Sequence, residues 1–205
     1  MKRTGPTTIL GVILAGGKSR RMDGRDKATI ELGGKPLIAH AIDRVTPQVD
    51  RLILNANDNT DRLQQFALPI VGDVIPDYAG PLAGILSAMI WAQENSPTTI
   101  WVASFPTDAP FLPNDLVTRL LAAICEDDSR LACATSLGRT HPVVGLWPIS
   151  LVDDLMSAMR DEEIHKIDLW TARHPLSEVE WPADPVDPFM NINTPEDLVK
   201  AEALF

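Results

Sequence analysis

The sequence predicts an α/β protein in which a mostly parallel sheet lies between two layers of helices. Three observations predict this class. Short apolar runs bounded by glycine or proline alternate with helical patterns as far as residue 126. The first run, Thr8–Leu14, is continuously apolar, as in a central strand that is buried on both faces. The 205 residues are 45% hydrophobic and contain no repeat or break in composition, so we expect a single domain over residues 1–205.

The elements of the first half follow from the spacing of apolar residues. Short apolar runs indicate strands, and apolar residues that recur every three or four positions indicate helices. Strands are therefore expected at 8–14, 51–55, 69–73 and 98–104. Helices are expected at 36–45, 58–66, 80–94 and 113–126. Repeated strand–helix units place helices on both faces of a parallel sheet, which makes the predicted architecture Rossmann-like.

The second half is less regular. Its apolar patterns predict strands at 130–135 and 142–148 and helices at 149–160 and 164–174. The proline-rich stretch 181–188 is expected to be irregular. A last helix follows, in which Thr194 is the N-cap, Pro195 is the first residue and Asp197 occupies the capping-box position.

The charge and the cysteine content exclude several classes of protein. A formal net charge of −10 argues against the broad basic face that nucleic acids and anionic membranes need, so we expect neither as a partner. No apolar run approaches the length that spans a bilayer, and no A-x-A signal cleavage site follows the first run. Cys125 and Cys133 are too few for a disulfide framework or a zinc site. We interpret both as reduced core residues of a cytoplasmic protein.

A basic loop, LAGGKSRRMDGRDK, follows the first predicted strand at 14–27. The dinucleotide motif G-x-G-x-x-G is absent, and the lysine of a P-loop would stand one residue too late. The remaining pattern is L-A-G-G-x-S-x-R-M followed by D-K. Its backbone at the first four positions suits a base or ribose, and its serine and cations suit a triphosphate. The residues in question are Leu14, Ala15, Gly16, Gly17, Ser19, Arg21 and Lys27.

Two carboxylates stand at the ends of later strands. Asp73 ends the third predicted strand, and Asp108 follows the fourth between Pro106 and Pro110. In open parallel sheets, ligands bind beyond the carboxyl ends of the strands, so both should lie near the basic loop. A carboxylate such as Asp108 can hold Mg²⁺ while the metal keeps waters and phosphate oxygens. The alternative for Asp108 is an Asx-turn or a helix cap.

The basic loop resembles the signature of the nucleoside-diphospho-sugar-like nucleotidyltransferases, and most closely that of the bacterial molybdenum cofactor guanylyltransferases. Most of the chain takes part in the resemblance, but 161–187 has little to match. Asp23 stands where the family usually has glycine, which adds a negative charge beside the phosphates. The matching segments, in order, are ELGGKPLIAHAID, LILNAN, DYAGPLAGILSAM, FPTDAPFLP, HPVVGLWP and FMNINTPEDL.

The resemblance implies a role for each matching residue. It implies that Asp108 binds Mg²⁺ and nucleotide and that Lys27 binds the nucleotide. We assign both residues to catalysis, together with Arg21, whose charge suits the triphosphate. Further nucleotide contacts are implied for Asn55 and Asp73, together with the first four loop residues. Asn191 and Asn193 are implied to lie on the acceptor side, at the pterin. Gly80 and Pro81 are assigned to the same side because they begin a helix whose positive N-terminus can face a ligand.

Each of these roles has a structural alternative. Lys27 can form a surface ion pair with Asp26, and Asn55 can satisfy backbone groups at the end of its strand. The capping of helices is the alternative for Asp73, Asn191 and Asn193. The glycines Gly80 and Gly84 can serve close packing alone. His141, as a lone histidine, is expected to be structural and is assigned no chemistry.

The activity implied by the resemblance is transfer of GMP from GTP to molybdopterin, or to the molybdenum cofactor, with release of pyrophosphate. Residues 7–126 would then form the GTP-binding half and 127–205 the acceptor half, with Mg²⁺ as cofactor. Molybdoenzymes or delivery proteins are implied as transient partners. The alternatives are a cytidylyltransferase, transfer of another nucleotide to a different phosphorylated acceptor, or a nucleotide-binding module without turnover.

Overall fold

The computed structural model of the protein describes residues 8–16, 30–58, 60–76 and 80–204. The strands in the described chain are β1 (Thr8–Leu14), β2 (Glu31–Leu32), β3 (Lys35–Pro36), β4 (Arg51–Asn55), β5 (Ile70–Val71), β6 (Thr99–Pro106), β7 (Leu131–Ser136), β8 (Arg139–Pro148) and β9 (Leu176–Glu180). The α-helices are α1 (Leu37–Val45), α2 (Pro81–Asn95), α3 (Leu116–Asp127), α4 (Val152–Arg160), α5 (Ile167–Thr171) and α6 (Pro195–Glu202). Short 3₁₀ helices occur at Thr46–Gln48, Thr60–Phe66 and Ile149–Leu151.

One seven-stranded sheet organises the molecule, in the order β5–β4–β1–β6–β8–β7–β9. Only β8 runs antiparallel to its neighbours in that sheet, so the prediction of a mostly parallel sheet is confirmed. Because β6 and β7 are both antiparallel to β8, they run in the same direction. The carboxyl ends of β4, β1, β6, β7 and β9 therefore all point to one edge of the sheet, which we call the carboxyl edge.

The central strand β1 shows why the sheet is covered on both faces. Its side chains alternate, so that Ile9 and Ile13 pack with α1 and α3, whereas Leu10 and Val12 pack with α2, α4 and α5. A strand that buries both of its faces needs an unbroken apolar run, which is the pattern that β1 has. The result is the predicted three-layer arrangement.

The last helix packs away from these two cores. Ala201 of α6 and Ile192 lie in a third apolar cluster with Ile30, Leu32 and Leu37. This cluster joins the C-terminal helix to the small β2–β3 hairpin and to the first residue of α1. The hairpin and the segment before α6 are thereby held together near the end of the chain.

Several elements differ from the sequence-based expectation. The helix expected at 58–66 is a 3₁₀ helix in which Leu63 is the buried residue, because the segment lacks an apolar stripe that would stabilise an α-helix. The helix expected at 164–174 is limited to α5, and the edge strand β9 and the β2–β3 hairpin were not predicted. The expectation that Cys125 is a core residue is wrong. It is exposed on α3, because the buried stripe of that helix runs through Leu120 and Ile124.

Cys133, in contrast, is buried in β7, and both cysteines are free thiols. Burial and then the charge of Glu178 raise the pKa of the Cys133 thiol to about 12, so it stays protonated at neutral pH. Within the described ranges, no helix is both long enough and apolar enough to cross a bilayer.

Candidate active site

The carboxyl edge brings the predicted site residues together. Leu14 pairs with Asn55 on one side and with Pro106 on the other, and Asn55 pairs with Val71. Four strands therefore end side by side. The residues that follow them include Ala15, Asp73 and Asp108, so the three candidate strand ends lie on one edge, as a doubly wound sheet requires.

At the end of β1 the backbone turns out of the core. Leu14 and Ala15 are buried, and the N–H of Ala15 donates to the carbonyl of Asn55 at 2.8 Å. Gly16 is exposed, and a Cβ placed on it would lie 4.0 Å from Oδ1 of Asn55, which is an ordinary contact. The peptide at Gly16 is therefore open for a ligand to lie against. The predicted site residues Gly17, Ser19, Arg21 and Lys27 lie outside the described residues.

A hydrogen-bonded group of amides holds Asp73. Nδ2 of Asn55 donates to the carbonyl of Val71 at 3.1 Å and to Oδ1 of Asp73 at 2.9 Å. Nδ2 of Asn57 donates to Oδ2 of Asp73 at 2.7 Å, and the N–H of Asp73 donates to Oδ1 of Asn57 at 2.7 Å. Both carboxylate oxygens are thus oriented by side-chain amides. The helix-cap alternative for Asp73 is wrong, because Gly80 is the N-cap of α2.

The first turn of α2 lies directly against this group. A Cβ on Gly84 would lie 2.3 Å from Oδ1 of Asn55 and 2.8 Å from Cδ2 of Leu14, so only glycine fits there. The close-packing interpretation therefore holds for Gly84. At Gly80 a Cβ would lie 3.7 Å from the carbonyl of His165, so packing does not require glycine. Gly80 has no side chain to cap α2, and the N–H groups that follow Pro81 begin the helix at the carboxyl edge.

Asp108 joins the predicted nucleotide residues to the C-terminal segment. It is partly buried, and its carbonyl accepts the N–H of Ile192 at 2.9 Å. This bond brings Asn191 and Asn193, the predicted acceptor residues, beside the end of β6. Neither asparagine is the N-cap of α6, because Thr194 occupies that position in a complete capping box.

The donor set fits a magnesium ion that is shared with phosphates. Among the residues that the structure describes, no three histidine, cysteine, aspartate or glutamate side chains form a cluster that could hold a metal. Mg²⁺ is commonly bound through one or two carboxylates, with water and phosphate oxygens completing its octahedron. The carboxylate of Asp108, at the carboxyl edge, has the hard oxygen donors that this mode of binding uses.

Comparison with known proteins places this geometry in a family. Residues 11–175 match the MobA-like NTP transferase domain. The chain belongs to the MobA-like NTP transferase family. A protein of Rhodopseudomonas palustris (strain BisB5) named molybdenum cofactor guanylyltransferase is 47% identical over 193 residues, which cover 94% of this chain and 92% of the relative. A Nitrobacter hamburgensis protein of the same name is 47% identical over 194 residues, which cover 95% of this chain and 93% of that relative.

Solved structures show the same MobA-like fold. Molybdopterin-guanine dinucleotide biosynthesis protein A from Archaeoglobus fulgidus superposes with a TM-score of 0.72 at 22% identity, covering 95% of this chain and 97% of that chain. The Rv0371C protein of Mycobacterium tuberculosis H37Rv, solved in complex with manganese, superposes with a TM-score of 0.69 at 16% identity, covering 97% and 100%. The expected fold, that of the nucleoside-diphospho-sugar-like transferases, is confirmed.

Several polar residues at the carboxyl edge of this MobA-like chain were not predicted from the sequence. Asn57 was missed, although the Asn-x-Asn spacing after β4 places it on the same side of the chain as Asn55. Ser136 and Asp187 were missed, and His141 was interpreted as a lone structural residue. The structure places Oγ of Ser136 2.7 Å from Nε2 of His141 and 2.8 Å from Oδ1 of Asp187.

Proposed function

We propose that the protein transfers GMP from GTP to molybdopterin, or to its molybdenum form, and releases pyrophosphate. The identities of the two substrates are supported by the shared name of relatives that are 47% identical over nearly the whole chain. The observation that carries the proposal is the meeting of two sets of residues at Asp108. Its strand ends beside the nucleotide-side residue Leu14, and its carbonyl binds the acceptor-side residue Ile192.

The proposed reaction needs no covalent enzyme intermediate. The terminal phosphate of the acceptor attacks the α-phosphorus of GTP, one P–O bond forms, and the bond to the β-phosphate oxygen breaks as pyrophosphate leaves. Because the attacking phosphate is already an anion, the protein has mainly to position two polyanions and to offset their repulsion. In the proposal Arg21 and Lys27 provide that positive charge.

In the nucleotide half of the site, a role is proposed for each predicted residue that the structure describes. The open peptide of Gly16, after Leu14 and Ala15, receives the base or ribose. Asn55 and Asp73, which hold each other in place, provide fixed acceptors beside it.

The metal is proposed to be Mg²⁺ held by Asp108. When bound, the ion neutralises phosphate charge and orients the triphosphate. The carboxylate of Asp108 is presented at the end of a buried strand, where the backbone is fixed by the bond from Ile192. The Rv0371C protein of Mycobacterium tuberculosis, which has this fold, was solved in complex with manganese, and this supports the use of a divalent ion.

The acceptor half is proposed to lie in residues 127–205, with Gly80 and Pro81 contributing from the first half. Asn191 and Asn193 then contact the pterin side of the site. We propose a cytoplasmic location, which is supported by two free cysteine thiols, and transient contact with molybdoenzymes or delivery proteins.

The first prediction concerns Asp108→Ala. We expect Mg²⁺-dependent formation of the guanine dinucleotide to fall by at least about 100-fold, since charge stabilisation by a metal contributes several kcal/mol. The fold should persist, because the bond from Ile192 uses the carbonyl of Asp108, which the substitution leaves in place. The measurement is pyrophosphate release from purified protein with GTP, molybdopterin and Mg²⁺, alongside the melting temperature.

Asp153→Ala serves as the control, because Asp153 is exposed on α4 and plays no part in the proposed site. It should leave turnover unchanged. Mg²⁺-dependent turnover retained in folded Asp108→Ala would contradict the metal assignment. Absence of dinucleotide formation in the unmodified protein would contradict the proposed function.

A further inference from the structure

A partly buried hydrogen-bonded cluster at the end of β7 has no role in the site described so far. Ser136 is the last residue of β7 and is fully buried, and His141 follows on β8 after the turn at Leu137 and Gly138. Since β7 runs in the same direction as β1 and β6, Ser136 lies at the carboxyl edge. Ser136, His141 and Asp187 are called the β7-end cluster below.

The hydrogen positions within the β7-end cluster follow from its chemistry. The hydroxyl of Ser136 has one proton, and it lies 2.8 Å from Oδ1 of Asp187 and 2.7 Å from Nε2 of His141. An ionised carboxylate only accepts, so the hydroxyl donates to Asp187 and accepts the Nε2–H of His141. Burial lowers the pKa of His141, and the opposing charges of Asp187 and Glu180 do not reverse this. The imidazole is therefore neutral at pH 7 and fixed as one tautomer.

Asp187 connects the cluster to the segment that follows it. Its Oδ1 also accepts the N–H of Phe189 at 3.0 Å, and its carbonyl accepts the N–H of Met190 at 3.1 Å. The ring of Phe189 lies 4.8 Å from that of His141, between centroids, and 5.5 Å from that of Trp181. The chain after Asp187 is thus held by one carboxylate and by two ring contacts of Phe189.

The other end of the segment 187–193 is anchored to the carboxyl edge beside Asp108. The N–H of Ile192 donates to the carbonyl of Asp108 at 2.9 Å, and the side chain of Ile192 is fully buried. The N–H of Asn193 donates to Oδ2 of Asp197 at 3.1 Å. Asn191 is exposed between the two anchors. Its position relative to Asp108 is therefore set by the β7-end cluster on one side and by Ile192 on the other.

We propose that the β7-end cluster is a positioning device for the acceptor, which holds 187–193 so that Asn191 and Asn193 meet the second substrate beside Asp108. This inference rests on the proposed function. The cluster acts on the acceptor and not on GTP, because β6 and β8 lie between β7 and β1. At about 4.8 Å per strand spacing, the cluster is roughly 14 Å from the end of β1.

The test compares two buried serines that each donate to an aspartate. Ser136→Ala removes the link to Asp187 at the carboxyl edge. Ser177→Ala is the matched control, and it removes a hydrogen bond of 2.6 Å to Asp127. Ser177 is on the adjacent strand β9 and pairs with Ala132 near the start of β7, so it lies toward the opposite edge of the sheet. We expect Ser136→Ala to raise KM for molybdopterin about tenfold, the loss of one hydrogen bond to a charged group, and to leave GTP binding within about twofold. Ser177→Ala should change neither.

A second pair of variants keeps the test decisive if Ser136→Ala does not fold. Asp187→Asn retains an oxygen that can accept from Ser136 and Phe189, and it should keep KM for molybdopterin close to that of the unmodified protein. Asp187→Ala loses that oxygen, and it should raise the same KM. Hydrogen exchange of the Phe189 amide, which needs no turnover, should be faster in Asp187→Ala and in Ser136→Ala than in Ser177→Ala.

The outcomes separate the two proposals. If the unmodified protein forms the dinucleotide but KM for molybdopterin is the same in Ser136→Ala and in the unmodified protein, the positioning role is wrong. The same holds if Ser177→Ala raises that KM equally, if GTP binding weakens in parallel, or if exchange at Phe189 is unchanged. Failure of the unmodified protein to turn over molybdopterin counts against the proposed function itself, and with it against the acceptor role of the cluster.

Discussion

At the carboxyl end of β4, the side-chain amide of Asn55 is oriented completely by its neighbours. Its two amide hydrogens are taken by the carbonyl of Val71 and by Oδ1 of Asp73. Its oxygen is an acceptor that lies over Gly84 and beside Gly16, and no described residue donates to it in the bonds given above. A buried amide that is fixed in this way can discriminate between ligands, because a ligand group without a hydrogen to donate leaves the oxygen unpaired.

A prediction at the residue scale follows from Gly84. Gly84→Ala would place a Cβ 2.3 Å from Oδ1 of Asn55, so Asn55 and Leu14 must move. Overpacking of this kind costs about 1–3 kcal/mol, which corresponds to a fall in melting temperature of several degrees for a domain of this size. GTP affinity should fall as well, because Asn55 is displaced.

Gly16→Ala is the matched control in thermal unfolding, since its nearest neighbour would be 4.0 Å from the new methyl group. We expect it to melt within about one degree of the unmodified protein. Equal melting temperatures for the two variants would show that the contact between α2 and Asn55 is not tight.

At the scale of elements, the hydrogen bonds that cap the start of α6 also hold the backbone of the proposed acceptor segment. The hydroxyl of Thr194 accepts the N–H of Asp197 at 3.2 Å, and Oδ2 of Asp197 accepts the N–H of Thr194 at 3.0 Å. The same oxygen accepts the N–H of Asn193. The capping box therefore fixes both the start of the helix and the backbone of a proposed acceptor residue.

The pH dependence of this cap can be predicted from Asp197. Burial alone would raise its pKa, but hydrogen bonds from Asn193 and Thr194 and the charge of Lys200 outweigh burial and lower it below the ordinary value of 3.8. A group whose pKa is lowered on folding stabilises the folded state above its unfolded pKa, and this contribution disappears as the pH falls through the folded pKa. Asp197→Asn should therefore be less stable than the unmodified protein at pH 5–8, by about 1 kcal/mol, because a neutral amide oxygen accepts more weakly than a carboxylate. The difference should shrink below about pH 4.

Urea unfolding of Asp197→Asn and of Glu196→Gln at pH 7 and pH 3.5 measures this effect. Glu196 is exposed in the same first turn and controls for loss of charge near the helix start. A difference for Asp197→Asn that persists unchanged at low pH, or that Glu196→Gln reproduces, would contradict the capping account.

At the scale of the whole molecule, one edge of the sheet serves both proposed halves. Strands β4, β1 and β6 end beside the nucleotide residues, and β7 and β9 end at the same edge on the acceptor side. The backbone bond between Asp108 and Ile192 connects them. In the proposal, the two large anions meet there because each is held by a different set of strands, and β8 lies between the two sets.

The strands predicted most accurately from the sequence were those that bury apolar side chains on both faces of the sheet. Strands β1 and β4 were predicted at their observed bounds, Thr8–Leu14 and Arg51–Asn55, because strands that bury both faces need unbroken apolar runs. The sequence of β9 is LSEVE, whose pairing with β7 no local pattern indicates. The β7-end cluster also escaped prediction. Ser136 and Asp187 are 51 residues apart, so only the folded sheet brings them together.

The preference for one nucleotide base over another depends on several strands that meet at the carboxyl edge of the sheet. We predict that kcat/KM for GTP exceeds that for CTP and for ATP by at least about tenfold, because a mismatched base leaves buried polar groups unpaired at about 1–3 kcal/mol each. The oxygen of Asn55 is an acceptor, and guanine offers an imino N–H beside its amino group, whereas adenine and cytosine offer the amino group alone on the corresponding edge. The bare peptide at Gly16 leaves room beside it for a two-ring base. The measurement is pyrophosphate release with molybdopterin and each nucleoside triphosphate in turn.

Gly16→Ala tests the same prediction from within the site. In this chain the backbone reads Leu14, Ala15, Gly16 and Gly17, so residue 16 carries no side chain. A methyl group on residue 16 fits the folded protein, but it occupies space beside the oxygen of Asn55. The preference for GTP over CTP should therefore decrease in this variant while its melting temperature stays the same. Comparable kcat/KM for GTP and CTP in the unmodified protein would instead place the activity in the cytidylyl branch.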